Sequence, residues 1–103
     1  MKRGEVRWYR FKAPDKKRPV VILTRDSILE YLGEVTVAPI TSTIRDIPSE
    51  VHLSESDGMP TDCAINFDHI QTASKKNIGS LITILSPERL KEIRAAILFS
   101  LHL

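Results

Sequence analysis

Residues 17–26 read KRPVVILTRD: two cations, a proline, four apolar residues, then Thr24-Arg25-Asp26. Val20, Val21, Ile22 and Leu23 form an unbroken apolar run rich in β-branched residues. Such a run, bounded by turn residues, predicts a strand buried on both faces rather than one half-exposed by alternation. Proline cannot donate to a strand ladder, so Pro19 is expected at the strand's first position, with PVVILT spanning residues 19–24. An arginine at position 18 is not required by any turn, and that makes it a candidate for function.

Working outward, GEVRWYRF (residues 4–11) alternates Val6, Trp8 and Arg10 against Glu5, Arg7 and Tyr9, which predicts a half-buried strand. KAPDKK (residues 12–17) reads as the hairpin connection between the two. On the other side, RDSILEYLG (residues 25–33) predicts a helical turn capped by Asp26 or Ser27 and stopped by Gly33. EVTVAPITST (residues 34–43) is a further strand, whose Pro39 suggests an edge or a bulge. SEVHL (49–53), DCAINF (62–67), HIQTA (69–73) and IGSLITIL (78–85) complete the strands, with turn material at SESDGMP (54–60). SPERLKEIRAAILFSLHL (residues 86–103) predicts a helix: Ser86 caps it, Pro87 suits its first position and Glu88 complements the dipole. Leu90, Ile93, Ile97 and Leu101 form its apolar stripe, widened by Ala96, Leu98 and Phe99. The order of elements predicts a mainly β chain, a small antiparallel barrel or curled sheet closed by a C-terminal helix. At 103 residues, a single domain spanning 1–103 is expected.

Composition narrows the function. One cysteine, Cys63, precludes an internal disulfide and suits a reducing, cytoplasmic compartment. Three scattered histidines and that cysteine make no zinc-ligand spacing, so neither a metal nor another cofactor is expected. No stretch approaches the ~18 apolar residues of a membrane span. Net charge is only +2, yet residues 1–18 carry eight Lys and Arg against Glu5 and Asp15, while residues 26–68 carry nine Asp and Glu against Arg45 alone. A basic segment on an acidic body can concentrate a polyanion at one face, or serve merely as a solvated edge. No nucleophile elbow, phosphate loop, HExxH or dinucleotide glycine pattern occurs. Cys63, within a strand-like run, reads as structural. His52 and His102 read as fillers, and His69 beside Asp68 as a hydrogen-bonding residue, with an acid or base as its alternative. What remains are polar residues at strand ends: Arg18, Thr41-Ser42-Thr43, Asn66, Asp68 and Gln71. Arginine can grip a phosphate with two donors, and threonine hydroxyls can serve its free oxygens. RNA brings its own nucleophile, the 2′-hydroxyl, so its cleavage is compatible with such an inventory.

KRGEV (2–6), KRPVVILTRD (17–26), VTVAPITSTIR (35–45), DGMPTDCAINFDHIQT (57–72) and ITILSPERLKEI (82–93) together resemble the MazF/PemK family of toxin ribonucleases, in order and spacing. The resemblance implies a small SH3-like barrel of the MazF/CcdB plasmid-toxin type with a C-terminal helix. It implies a toxin of a type II toxin–antitoxin system: a sequence-specific, metal-independent endoribonuclease that cuts single-stranded RNA to 2′,3′-cyclic phosphate and 5′-hydroxyl ends. It further implies a homodimer with RNA along its interface, and an antitoxin whose acidic, disordered C-terminal tail blocks that groove. The family's arginine falls on Arg18 and its threonine on Thr41, as catalytic residues. Lys16, Lys17, Ser42, Thr43, Asp68 and Gln71 are expected to contact RNA, and Arg7 to reach phosphate from the rim. The loop 12–17 is shorter than in many relatives, so no loop carboxylate carries over. Two alternatives are a CcdB-like poison of DNA gyrase, which shares the barrel but cuts nothing, and an inactive RNA- or protein-binding relative. The ending FSLHL (99–103), read as a helix end packed on the barrel, argues against the gyrase poison.

Overall fold

The computed structural model of the chain describes residues 1–11 and 17–103. Its centre is the strand opened by KRPVVILTRD: β2 (Lys17–Ile22) lies between β1 (Glu5–Arg10) and β3 (Glu34–Thr41), antiparallel to both. Alternate residues of these strands feed two apolar clusters on opposite faces. Val6, Val21, Ala38 and Ile40 enter one cluster; Val20, Ile22, Val35 and Val37 enter the other. A strand covered on both faces needs no polar alternation, and the VVI run follows from that. Val20, Val21 and Ile22 are fully buried, each contributing about 1.5–3 kcal/mol relative to exposure.

Further out, β4 (Glu50–Leu53), β5 (Cys63–Asn66), β6 (Gln71–Ser74) and β7 (Ile78–Ile84) complete a sheet of order β4-β5-β3-β2-β1-β7, with β6 also on β3. The architecture is a half-barrel with a terminal helix. Neither proline sits where strand rules alone place it. Pro19 is third in β2, opposite Trp8, because pairing with β3 starts only at Val20. Pro39 lies in a central strand rather than an edge, at the gap where β3 passes from β6 (Glu34 to Val37) to β5 (Ile40 and Thr41). Both prolines stand where a ladder is interrupted, so neither forfeits a bond.

The turn after β2 is shorter than expected. Helix α1 covers only Asp26–Leu29 and is flanked by Arg25, which makes no side-chain cap. The carboxylate of Asp26 accepts instead from the backbone N–H of Arg3 at 2.6 Å, and Lys75 Nζ donates to the Leu29 carbonyl. Gly33 therefore follows the helix at a distance rather than stopping it. DCAINF and HIQTA are interrupted by a 3-10 turn at Phe67–His69, where the Asn66 side chain accepts from Asp68 N.

Helix α2 (Pro87–Ser100) has the expected cap, Ser86 Oγ accepting from Arg89 N at 3.2 Å. It packs on β4 and the 67–69 turn. The buried stripe runs through Leu90, Ile93, Ala96 and Ile97 and then ends. Phe99 is 59% exposed, Leu101 55% and Leu103 82%. The FSLHL end is therefore not packed on the barrel, because the core-packed stripe of α2 stops at Ile97.

Candidate functional site

Two strand ends build the site. The β2–β3 register pairs Val20 with Pro39, and continuing it by two residues sets Arg18 opposite Thr41. Residues opposite one another in an antiparallel pair project to the same side. Arg18, Thr41 and Ser42 accordingly line one cleft of about 240 Å³. Its apolar part comes from Trp8, Ile40, Met59 and Ile82, and its rim from Pro60 and Thr61. Proline after Arg18 restricts the arginine's backbone to extended conformations, which fits its place in β2.

Each polar group has a definite bonding state. Arg18 is exposed and forms no ion pair among the described residues. Thr41 Oγ1 accepts from the backbone N–H of Thr43 at 3.1 Å. A hydroxyl has one proton to give, so Thr41 keeps its donor for a ligand oxygen. The segment after Ser42 is tied back by Glu50, whose Oε1 accepts from Arg45 N at 2.9 Å and Asp46 N at 3.2 Å. Cys63, at the base of the cleft, is buried, and burial first, then Asp62 and Asp57, push its thiol upward. A protonated, buried thiol is inert, in line with a structural cysteine.

The opposite wall is fixed by a network that sequence patterning does not reveal. Arg89 of α2 grips Asp57 with two donors, Nε to Oδ1 at 2.9 Å and Nη2 to Oδ2 at 3.2 Å, and Nη1 holds Glu92. The Arg89 guanidinium holds the Asp57 carboxyl below its ordinary range, assisted by the Ser54 backbone N–H and opposed by burial. Thr83 Oγ1 donates to the Asp57 carbonyl at 2.8 Å. These bonds lock the 3-10 turn Glu55–Asp57 and, through Gly58, the Met59-Pro60-Thr61 wall.

The remaining candidates divide. Ser42 joins Arg18 and Thr41, and Thr43 bonds to Thr41 just outside. Lys17 opens onto a neighbouring cleft. Lys16 lies outside the described residues. Asp68, which accepts from Ser49 Oγ at 2.7 Å, and Gln71, which donates to the His69 carbonyl, do not line the Arg18 cleft. Arg7 is not available on the rim: it donates to Glu5 Oε1 at 2.8 Å and the Gly79 carbonyl at 3.0 Å. His69 makes a hydrogen-bonded contact to Asn66, as expected of it. Trp8 and the Met59–Thr61 wall are the residues that sequence reasoning passed over. The sole tryptophan of the chain, in a strand adjoining a basic loop, was the available signal for Trp8.

The model of the PemK-like, MazF-like toxins of type II toxin–antitoxin systems matches residues 2–101. The chain belongs to this toxin family. A probable endoribonuclease, MazF2, of Mycobacterium tuberculosis is 41% identical over 93 residues, covering 89% of each chain. Among solved structures, the M. tuberculosis toxin MazF-mt6 superposes with a TM-score of 0.89 at 30% identity, over 96% of this chain and 97% of its own. A mycobacterial endoribonuclease in complex with its cognate antitoxin superposes with a TM-score of 0.86 at 26% identity, over 100% and 96%. The half-barrel and terminal helix are thus the fold of these toxins.

Proposed function

We propose that this toxin is a sequence-specific endoribonuclease that cleaves single-stranded RNA without a metal. The observation that carries the reading is the convergence of Arg18 and Thr41 from adjacent strands on one cleft. The substrate's 2′-hydroxyl gives up its proton as its oxygen attacks the adjacent phosphorus, the bond to the 5′-oxygen breaks and that oxygen takes up a proton, so the ends are a 2′,3′-cyclic phosphate and a 5′-hydroxyl with one proton moved between them. Negative charge accumulates on the non-bridging oxygens as the fifth bond forms. A guanidinium and a hydroxyl already aimed at that position stabilise it without reorganising. Ser42, Thr43 and Lys17 extend the contact along the strand; Asp68 and Gln71 form no part of this mechanism.

An antitoxin with an acidic, disordered tail is the proposed inhibitor. The basic residues of the first eighteen positions support it, as does the antitoxin held by the mycobacterial relative. A homodimer is also proposed, supported by the apolar surface that Leu98, Phe99 and Leu101 expose at the end of α2. No helix among the described residues is long and apolar enough to cross a membrane, and we place the toxin in the cytoplasm. Poisoning of gyrase is not favoured, since the family model and the curated relatives belong to the ribonuclease branch.

The test is incubation of the purified protein with mixed single-stranded RNA in EDTA. Discrete fragments ending in cyclic phosphate are expected. Arg18→Ala should lower the rate by about 10²–10³-fold, the usual value of one donor aimed at developing charge, with an unchanged melting curve. Thr41→Val, which keeps the shape and removes the hydroxyl, should be impaired in the same direction. Cleavage by Arg18→Ala at near the parental rate overturns the assignment. Gyrase inhibition without cleavage favours the poison, and RNA binding without cleavage an inactive module.

A further inference from the structure

Trp8 borders more than the Arg18 cleft. It also lines a second depression of about 270 Å³, walled by Tyr9 and Arg10 of β1, Lys17 of β2, Lys76 of the turn before β7, and Ser80. No carboxylate lines it among the described residues. The cations are not gathered by accident of long side chains. Arg10 and Lys17 are direct partners in the β1–β2 register, one step from the Tyr9–Arg18 pair. Like charges opposite one another weaken a sheet, so the fold carries a repulsion here that an anion would relieve. Arg7, on the same strand, differs: its charge is met by Glu5.

We propose that this depression is a second RNA subsite, holding a phosphate that flanks the scissile one while Trp8, on the ridge between the two clefts, stacks a base. The proposal rests on the ribonuclease reading of the Arg18 cleft. Two cationic hollows in series, separated by an aromatic ring, match the alternation of phosphate and base along a single strand. An acidic polypeptide would use the cations but leave the Trp8 ring without a stacking partner; Tyr9 is already engaged, edge to face with Phe11 at 4.6 Å.

The experiment uses the full chain in EDTA and a randomised 2′-O-methyl RNA 12-mer, which cannot be cleaved because its 2′-oxygen is blocked. Affinity is measured by anisotropy over a salt series for the parent, Lys17→Ala/Lys76→Ala, and Lys91→Ala on the exposed face of α2. The double variant should bind more weakly, and its slope of log affinity against log salt should be shallower by about 0.7 for each phosphate it no longer neutralises. Lys91→Ala should match the parent. Quenching of Trp8 fluorescence by the 12-mer should persist, since the base still stacks. An unchanged slope in the double variant overturns the subsite, and so does a polyglutamate peptide that binds through Lys17 and Lys76 when RNA does not. Arg10→Gln gives a second reading if the double variant melts early. Parental cleavage of ordinary RNA is scored in parallel, so an inactive parent counts against the ribonuclease reading and an unaltered slope against the subsite alone.

Discussion

Gly58 is the residue on which the geometry of the cleft wall depends most directly. It closes the 3-10 turn with φ at +92°, its N–H donating to the Glu55 carbonyl at 2.9 Å. A methyl group at this position would lie 2.3 Å from Thr83 Oγ1 and 2.8 Å from Thr83 Cβ. Thr83 cannot simply rotate away, because its hydroxyl is already committed to the Asp57 carbonyl. Gly58→Ala therefore incurs two costs. The left-handed backbone costs roughly 1–2 kcal/mol for a residue with a Cβ, and the overpacking about 1–3 kcal/mol more. The sum, about 2–5 kcal/mol, should be read by urea denaturation. Gly33→Ala is the matched control: nothing lies within 4 Å of its Cβ position and its φ is not in the left-handed range. It should be neutral or stabilising by about 0.4–1 kcal/mol, through the unfolded chain. Because Gly58 leads directly into Met59-Pro60-Thr61, RNA cleavage by the fraction that remains folded should also fall. Loss of less than about 0.5 kcal/mol at Gly58, within the range of ordinary surface changes, or an equal loss at Gly33, would refute the reasoning.

Arg89→Ala should cost about 1–3 kcal/mol at pH 7, since it strips two charge-assisted bonds from Asp57. The folded Asp57 carboxyl is depressed, so its contribution is whole above the unfolded value near 4 and fades as pH falls below that. Thermal melts of parent and variant should accordingly converge as pH falls below that unfolded value; a gap that stays as wide in acid as at pH 7 would show that the ion pair is not the cause. Arg89→Lys, which keeps the charge and loses the fork, should fall between them. Cys63, buried and with its thiol pushed up, should react with iodoacetamide at about pH 8 far more slowly in the folded chain than in urea. Equal rates by mass spectrometry would contradict its burial.

Elements that depend on local chemistry were readable from the amino acids alone. The VVI run of β2 and the Ser86-Pro87-Glu88 start of α2 each specify a conformation through near neighbours, and both stand as read. Arg18 stood out as a candidate because no local rule demands an arginine there, and it does line the cleft. Tertiary structure decided the rest, where a group's partner lies far along the chain. Asp26 caps nothing because Arg3 takes its carboxylate, Pro39 sits mid-sheet because β3 changes partners beside it, and Phe99 and Leu101 stay exposed because the core-packed stripe of α2 stops at Ile97. The same holds for the cleft. Trp8, Arg18, Thr41 and Met59 meet only through strand register, which the apolar pattern and turn geometry of several strands set together, so no short stretch of sequence encodes it.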